Sequence, residues 1–184
     1  FVPFLANELH ERLTGTPAED APWPEPDDAL LDRGVEAAET QVERLVDDVQ
    51  GIQQSLRNAD ETVPEADPDR IRVTVAADWK RTVFDAVAEI GADQGAVMGE
   101  VMSDPDLRRR GDAVNDLVSE LVEFARAREA DELDALATLD EAAVYRDAAA
   151  FLESEFDAEI TVETEGDDGD GAVPFRPSIE LEAA

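Results

Sequence analysis

The chain has 184 residues, no cysteine, a single histidine (His10), and 47 acidic against 15 basic residues, for a formal net charge of −32. Disulfides, thiolate nucleophiles, cysteine-ligated zinc and histidine clusters are thereby excluded, and no apolar run approaches the roughly 18 residues needed to span a bilayer. Domains cluster near roughly 100–150 residues, so this length suits one domain with a real core or two small ones, and two units are expected.

A compact state this acidic repels itself in dilute buffer. Lys80 is the only lysine; the other basic residues are arginines. Abundant acid, scarce lysine and many alanines and valines suggest a halophilic source, where screening lengths shrink to about 3 Å near 1 M salt. Disorder is the alternative for so acidic a chain, but 43% of residues are hydrophobic and fall into periodic segments. No signal-peptide layout opens the chain, and cytoplasm is the expected location.

Phe1, Phe4, Leu5, Leu9 and Leu13 fall at helical spacing, so a helix is expected from the first residue, ended by Gly15; the abrupt entry suggests a chain that begins earlier. Pro17 to Asp28, with four prolines and Trp23, reads as an irregular connector. From Asp32 to about Asn58, Val35, Ala38, Val42, Leu45, Val49, Ile52 and Leu56 repeat at steps of three and four, predicting one long helix with a narrow seam, part of a bundle whose other helices lie elsewhere. Residues 61–69, with Pro64 and Pro68, mark a linker between units 1–60 and 70–184.

Ile71, Val73 and Val75 alternate with polar residues as a strand, and Trp79, Val83, Val87 and Ile90 switch to helical spacing up to Gly91. A short helix is expected over Gln94 to Met102. Asp104-Pro105 reads as a cap and first helical position, opening one long helix to about Arg128 with Val114, Leu117, Val118, Leu121, Val122 and Ala125 facing a core. After a polar connector, Thr138 and Glu141 have the form of a capping box for a helix that buries Val144, Ala148, Phe151 and Leu152. Strands at Ala158–Thr164 and Ser178–Glu182 flank the loop 165–171, expected to be a solvated hairpin loop. The fold class is α+β: a partial helical bundle followed by a small sheet covered by helices.

Several segments in order along the chain carry a family resemblance. Phe1-Val2-Pro3-Phe4-Leu5-Ala6-Asn7-Glu8-Leu9 resembles a helix late in the tRNA-binding helical domain of class I synthetases for leucine, isoleucine and valine, and Trp23-Pro24 resembles the connector that follows it. Trp79-Lys80-Arg81, the stretch from Val97 to Gly111, and the ending Pro174-Phe175-Arg176-Pro177-Ser178-Ile179-Glu180-Leu181-Glu182 are similar to the C-terminal domain of archaeal and eukaryotic leucyl-tRNA synthetases. The resemblance implies a parent enzyme that joins leucine to its tRNA with ATP and magnesium, and an archaeal C-terminal domain that reaches the long variable arm of leucine tRNA. It implies leucine tRNA and the upstream domains of the same chain as partners, no membrane, and a monomer. The catalytic signatures His-x-Gly-His and Lys-Met-Ser-Lys-Ser do not occur, so no catalytic, cofactor or metal residue is assigned to this chain.

Candidate RNA contacts are few. Arg108, Arg109 and Arg110 form the one run of three cations, and guanidinium forks engage phosphate in a bidentate manner; the bland reading is a solvated helix face. Lys80 and Arg81 stand at a helix start, where a cation opposes the helix dipole, a cost that a bound partner would offset. The stiff segment Phe175, Arg176, Pro177, Ser178 and Ile179 is a candidate for backbone contact with the variable arm, against the reading of an edge strand with Ile179 and Leu181 in the core. Asp167, Asp168 and Asp170 lack the EF-hand spacing and read as a solvated loop. Two competing readings stand beside this one: a protein-docking helical module without RNA, and the equivalent region of a valyl or isoleucyl enzyme.

Overall fold

The computed structural model describes residues 3–17, 20, 32–59, 63–169 and 171–183, with the side chains of 3–6 outside that set. Trp23 and most of the expected connector 17–28 also lie outside the described residues.

Two compact units result, 1–32 and 33–184. In the first, α1 (Pro3–Thr14) ends at Gly15, whose φ of +75° suits a residue without Cβ. Its N–H donates to the Glu11 carbonyl at 2.8 Å, and Leu9 and Leu13 are exposed.

In the second unit, α2 (Arg33–Ala59) leads through a 3-10 turn at Pro64–Ala66 into β1 (Arg70–Val75). Helices α3 (Asp78–Ile90), α4 (Gln94–Val101), α5 (Pro105–Arg109), α6 (Gly111–Arg126), α7 (Ala130–Thr138), α8 (Glu141–Asp147) and α9 (Ala149–Phe156) follow, and then β2 (Glu159–Thr164) and β3 (Ser178–Glu182). The fold is α+β, mostly helical with a small mixed sheet.

The sheet has the order β2-β1-β3: β1 runs parallel to β2 and antiparallel to β3. Alternation in β1 sends Ile71, Val73 and Val75 inward, each at most 5% exposed, while Arg70 and Arg72 meet the carboxylates of both neighbours. Arg70 reaches Glu159 at 2.8 Å and Arg72 reaches Glu180 at 2.7 Å and Glu182 at 2.5 Å. The loop 165–171 is therefore not a hairpin loop, because β1 lies between the strands it connects.

One core forms where α2, α8 and α9 cover the sheet, with Leu45, Val49, Ile71, Val73, Tyr145 and Leu152 at its centre. Each such side chain contributes about 1.5–3 kcal/mol on burial. The buried row of α2 is Gln41, Leu45, Val49 and Gln53, at steps of four; Val35 stays 62% exposed, because contact with α7, α8 and the 3-10 turn turns the seam away from the row expected. By packing, α2 belongs with the sheet, and the division falls at 32/33 rather than within 61–69. A second core lies among α3 to α7, with Phe84, Val87, Val118 and Leu121 buried and the Phe175 ring reaching in.

Local chemistry sets three boundaries differently from expectation. The long helix expected from Asp104 breaks at Arg110, whose φ and ψ of −93° and 7° leave the helical range. Residues 130–138, read as a connector, form α7 because Leu133 and Leu136 are buried on one side. Thr138 ends α7 and donates to the Ala135 carbonyl, while Asp140 caps α8 by accepting from the Ala143 N–H at 3.0 Å. Phe151, expected inside, is 55% exposed; Leu152 carries the burial instead.

Candidate nucleic-acid interface

The segment between β2 and β3 is held from beneath by one ion pair. Lys80 Nζ lies 2.6 Å from Glu165 Oε2 and also donates to the Ala172 carbonyl at 2.6 Å; the two side chains are 6% and 9% exposed. Glu165 Oε1 accepts the N–H groups of Gly171 and Ala172 at 2.7 and 3.1 Å. Burial acts to raise the Glu165 pKa, but the Lys80 bond and those two amides outweigh it and hold the carboxyl below its usual range. A methyl group at Gly169 would overlap the Glu165 side chain, so the loop needs glycine there. From outside, Trp79 Nε1 and Arg110 Nη1 donate to the Asp167 carbonyl at 3.2 and 2.6 Å, and the Arg110 guanidinium covers the Trp79 ring.

The chain then turns back on itself. Val173 and Arg176 exchange backbone hydrogen bonds of 3.1 and 2.8 Å around Pro174 and Phe175. Proline followed by a positive φ, here +61° at Phe175, is the type II turn pattern. Glycine normally takes that second position, and a side chain there costs about 1–2 kcal/mol. Three contacts offset it. The Phe175 ring stands edge-on to Phe84 at 4.9 Å between centroids, the Arg81 guanidinium lies 5.1 Å from it, and the Phe175 N–H donates to Glu141 Oε2 at 3.0 Å. Glu141 is 7% exposed and its Oε1 has no partner among the described residues. Burial raises its pKa to about 7, moderated by the Phe175 N–H and the Arg81 charge.

The sequence candidates thus divide. Lys80 and Phe175, expected as RNA contacts, instead face inward and support the segment, because the lysine's charge and the aromatic ring are consumed by buried partners. Arg81 is largely committed as well, donating to the Leu136 and Ala137 carbonyls at the end of α7 and to Asp85. Arg108 closes on the Met102 carbonyl at 2.7 Å, Arg110 on Asp167, and Arg109, 76% exposed, pairs among the described residues with Asp106 one turn back. Arg108, Arg109 and Arg110 therefore do not present one shared cationic face. Arg176, 59% exposed, meets Glu120 at 2.8 Å. Pro177 is half-buried, and Ser178 and Ile179 pair with Thr74 and Val73 in the β1–β3 ladder. The roles of Glu141, read from sequence as the capping-box partner of Thr138, and of Glu165 escaped the sequence reading because their partners lie 34 and 85 positions away. No group of acidic or histidine side chains among the described residues is arranged to hold a metal ion.

No family model matches the chain. Over 99% of its length it is 30% identical to a protein of Methanothermobacter thermautotrophicus, 31% to one of Pyrococcus furiosus and 32% to one of Aeropyrum pernix. All three are leucine–tRNA ligases. The match covers 19%, 18% and 18% of those proteins, so the chain spans about one fifth of the relatives it resembles. Their name is that of an aminoacyl-tRNA synthetase, and the matched segment contains neither of the two signatures of class I catalysis. No described helix is long and apolar enough to cross a membrane.

Proposed function

We propose that this chain is the tRNA-holding C-terminal portion of a leucine–tRNA ligase, which positions leucine tRNA, by its long variable arm, for ATP-dependent leucylation in upstream domains. The observation that carries the reading is the match to leucine–tRNA ligases along the whole chain. The stiff turn 173–176 supports it: a positive φ on phenylalanine is tolerated only where the surroundings enforce it, and such outliers gather at functional segments. The turn presents the Arg176 side chain and leads into β3, which among the described residues pairs on one side only, with β1, so that the backbone groups on its outer side are open to RNA without side-chain readout.

A charge of −32 opposes any polyanion. Affinity therefore comes from shape, backbone contacts and a few arginines in concentrated salt, and the acidic exterior discriminates against other polyanions. Binding should depend weakly on salt above about 1 M. A second reading, a protein-docking module, is favoured by one observation: Phe151, Val42, Val46 and Ala148 line an open groove edged by Glu39, Glu43 and Asp47.

The test is binding of the chain, in about 2–3 M KCl, to leucine tRNA with and without its variable arm. Loss of binding when the arm is removed supports the reading. Equal affinity for both RNAs, or none for either from the folded protein, refutes it and favours docking. Deleting 175–184 is not a usable control, because it removes β3 from the sheet.

A further inference from the structure

Most arginines of this chain are spent on the carboxylate or carbonyl beside them, so a place where several gather runs against its electrostatic trend. One such place surrounds the Phe124 ring near the end of α6. Arg128, between α6 and α7, lies with its guanidinium carbon 3.5 Å from the ring centroid, and Arg176, from the turn before β3, lies 5.8 Å from the same centroid. Arg44, on α2, which packs against α7, is near enough to Arg128 for its charge to act there. The Arg128 pKa is lowered, by burial first; the charges of Arg44 and Arg176 act in the same direction, against Glu132. Three segments far apart in sequence thus bring like charges together.

The local balance is informative. Arg128 pairs with Glu132 at 2.9 Å and Arg176 with Glu120 at 2.8 Å, while Arg44 forms no ion pair among the described residues. Of the three guanidiniums, Arg44 is the one with no described carboxylate at ion-pair distance, although the charge of Asp48, one turn along α2, acts on the same Tyr145 side chain as Arg44 does; a phosphodiester brings the single negative charge that would meet it. Arg128 is the fixed member, 15% exposed, stacked on the ring and donating to the Phe124 carbonyl at 3.0 Å. Arg176 is 59% exposed and Arg44 half-buried. Planar forks on an aromatic platform suit phosphate oxygens, which they bind in bidentate fashion and with less ordering than lysine needs.

We propose that Arg128 and Arg176, on the Phe124 ring, together with Arg44 near Arg128, form a phosphate-recognition patch for the backbone of the bound RNA. This rests on the tRNA reading above, and it extends the interface from the C-terminal turn to α2 and the α6–α7 junction, which the sequence did not single out.

The experiment compares the unaltered chain with Arg44→Gln/Arg176→Gln, both checked by circular dichroism for folding, in leucine tRNA binding and in ethylation interference on the tRNA phosphates. Arg12→Gln/Arg126→Gln is the charge-matched control, since both arginines are exposed and pair along their own helices. Removing the two arms should weaken binding about tenfold, leave the control within about twofold, and abolish interference at a discrete set of phosphates. Unchanged affinity, or weaker binding with the same interference pattern, overturns the patch while the tRNA reading stands. Failure of the unaltered folded chain to bind leucine tRNA overturns the reading beneath it.

Discussion

Replacing Glu141 by glutamine isolates one buried proton. The carboxyl titrates near 7 in the folded chain against an ordinary 4.5. At about 1.4 kcal/mol per pH unit, that difference is worth about 3 kcal/mol of stability. Below pH 4.5 both states hold the proton and nothing is lost. As pH rises from 4.5 to 7 the unfolded chain releases it while the folded chain retains it, so stability falls; above 7 the loss is complete. Glutamine keeps an oxygen to accept the Phe175 N–H and cannot ionise. The assay is urea unfolding followed by circular dichroism from pH 4.5 to 8 in about 2 M KCl, where surface charges are screened. The informative quantity is the stability of the unaltered chain minus that of the variant at each pH, because the other carboxylates cancel. Glu165 is one of these, and its depressed pKa acts oppositely, withdrawing stability as pH falls. The difference should move by about 3 kcal/mol in favour of the glutamine variant between the two ends of the range. A flat difference would show that Glu141 is not held neutral, and with it would go the account of how the 173–176 turn is kept in place.

Three further outcomes follow from the same contacts. Lys80→Met leaves Glu165 charged and enclosed and should cost about 3–5 kcal/mol in denaturant unfolding, with much of the loss recovered in Lys80→Met/Glu165→Gln. At position 175, alanine should cost about 3–5 kcal/mol through the lost ring, and glycine should be more stable than alanine by about 1 kcal/mol, reversing the usual order, because φ is positive there. Asp140→Ala should destabilise by about 1 kcal/mol and Thr138→Ala by much less, since the cap of α8 is Asp140; equal effects would contradict that assignment.

What could be read from the sequence was what depends on neighbours along the chain. The alternation of Ile71, Val73 and Val75, the stripe from Val114 to Ala125, the Asp104-Pro105 start and the stop at Gly91 are local signals, and each marks an element, although the start at Asp104-Pro105 opens the short α5 and not the long helix expected from it. The errors came where a distant partner decided. Nothing near Gln41 or Gln53 marks them as buried; α7, α8 and the 3-10 turn bring that about. Two short strands around a glycine-rich loop look like a hairpin, whereas the buried Ile71, Val73 and Val75 set β1 between them, with its arginines facing Glu159 on one side and Glu180 on the other. In the candidate interface, Arg176 could be recognised as an exposed cation between two prolines. That Lys80 and Phe175 point inward could not, because the carboxylates that hold them belong to other segments.

The order β2-β1-β3 also governs how the molecule is made. Arg70 meets Glu159 across 89 positions, and Arg72 meets Glu180 across 108. During synthesis, then, β1 leaves the ribosome long before either of its flanking strands exists, as a bare Arg-Ile-Arg-Val-Thr-Val segment with both edges open. Loop closure over such distances is slow compared with helix formation, so the helices from α3 to α7 are expected to collapse first around their own core, which pulse-labelling hydrogen exchange during refolding would show as earlier protection of α3 to α7 than of β1. The interval is hazardous, since an apolar strand with free edges invites pairing between chains. Arg70 and Arg72 answer this directly: two positive charges at alternate positions repel a second copy of the same strand, and the same charges later select the glutamate-bearing strands that belong on either side.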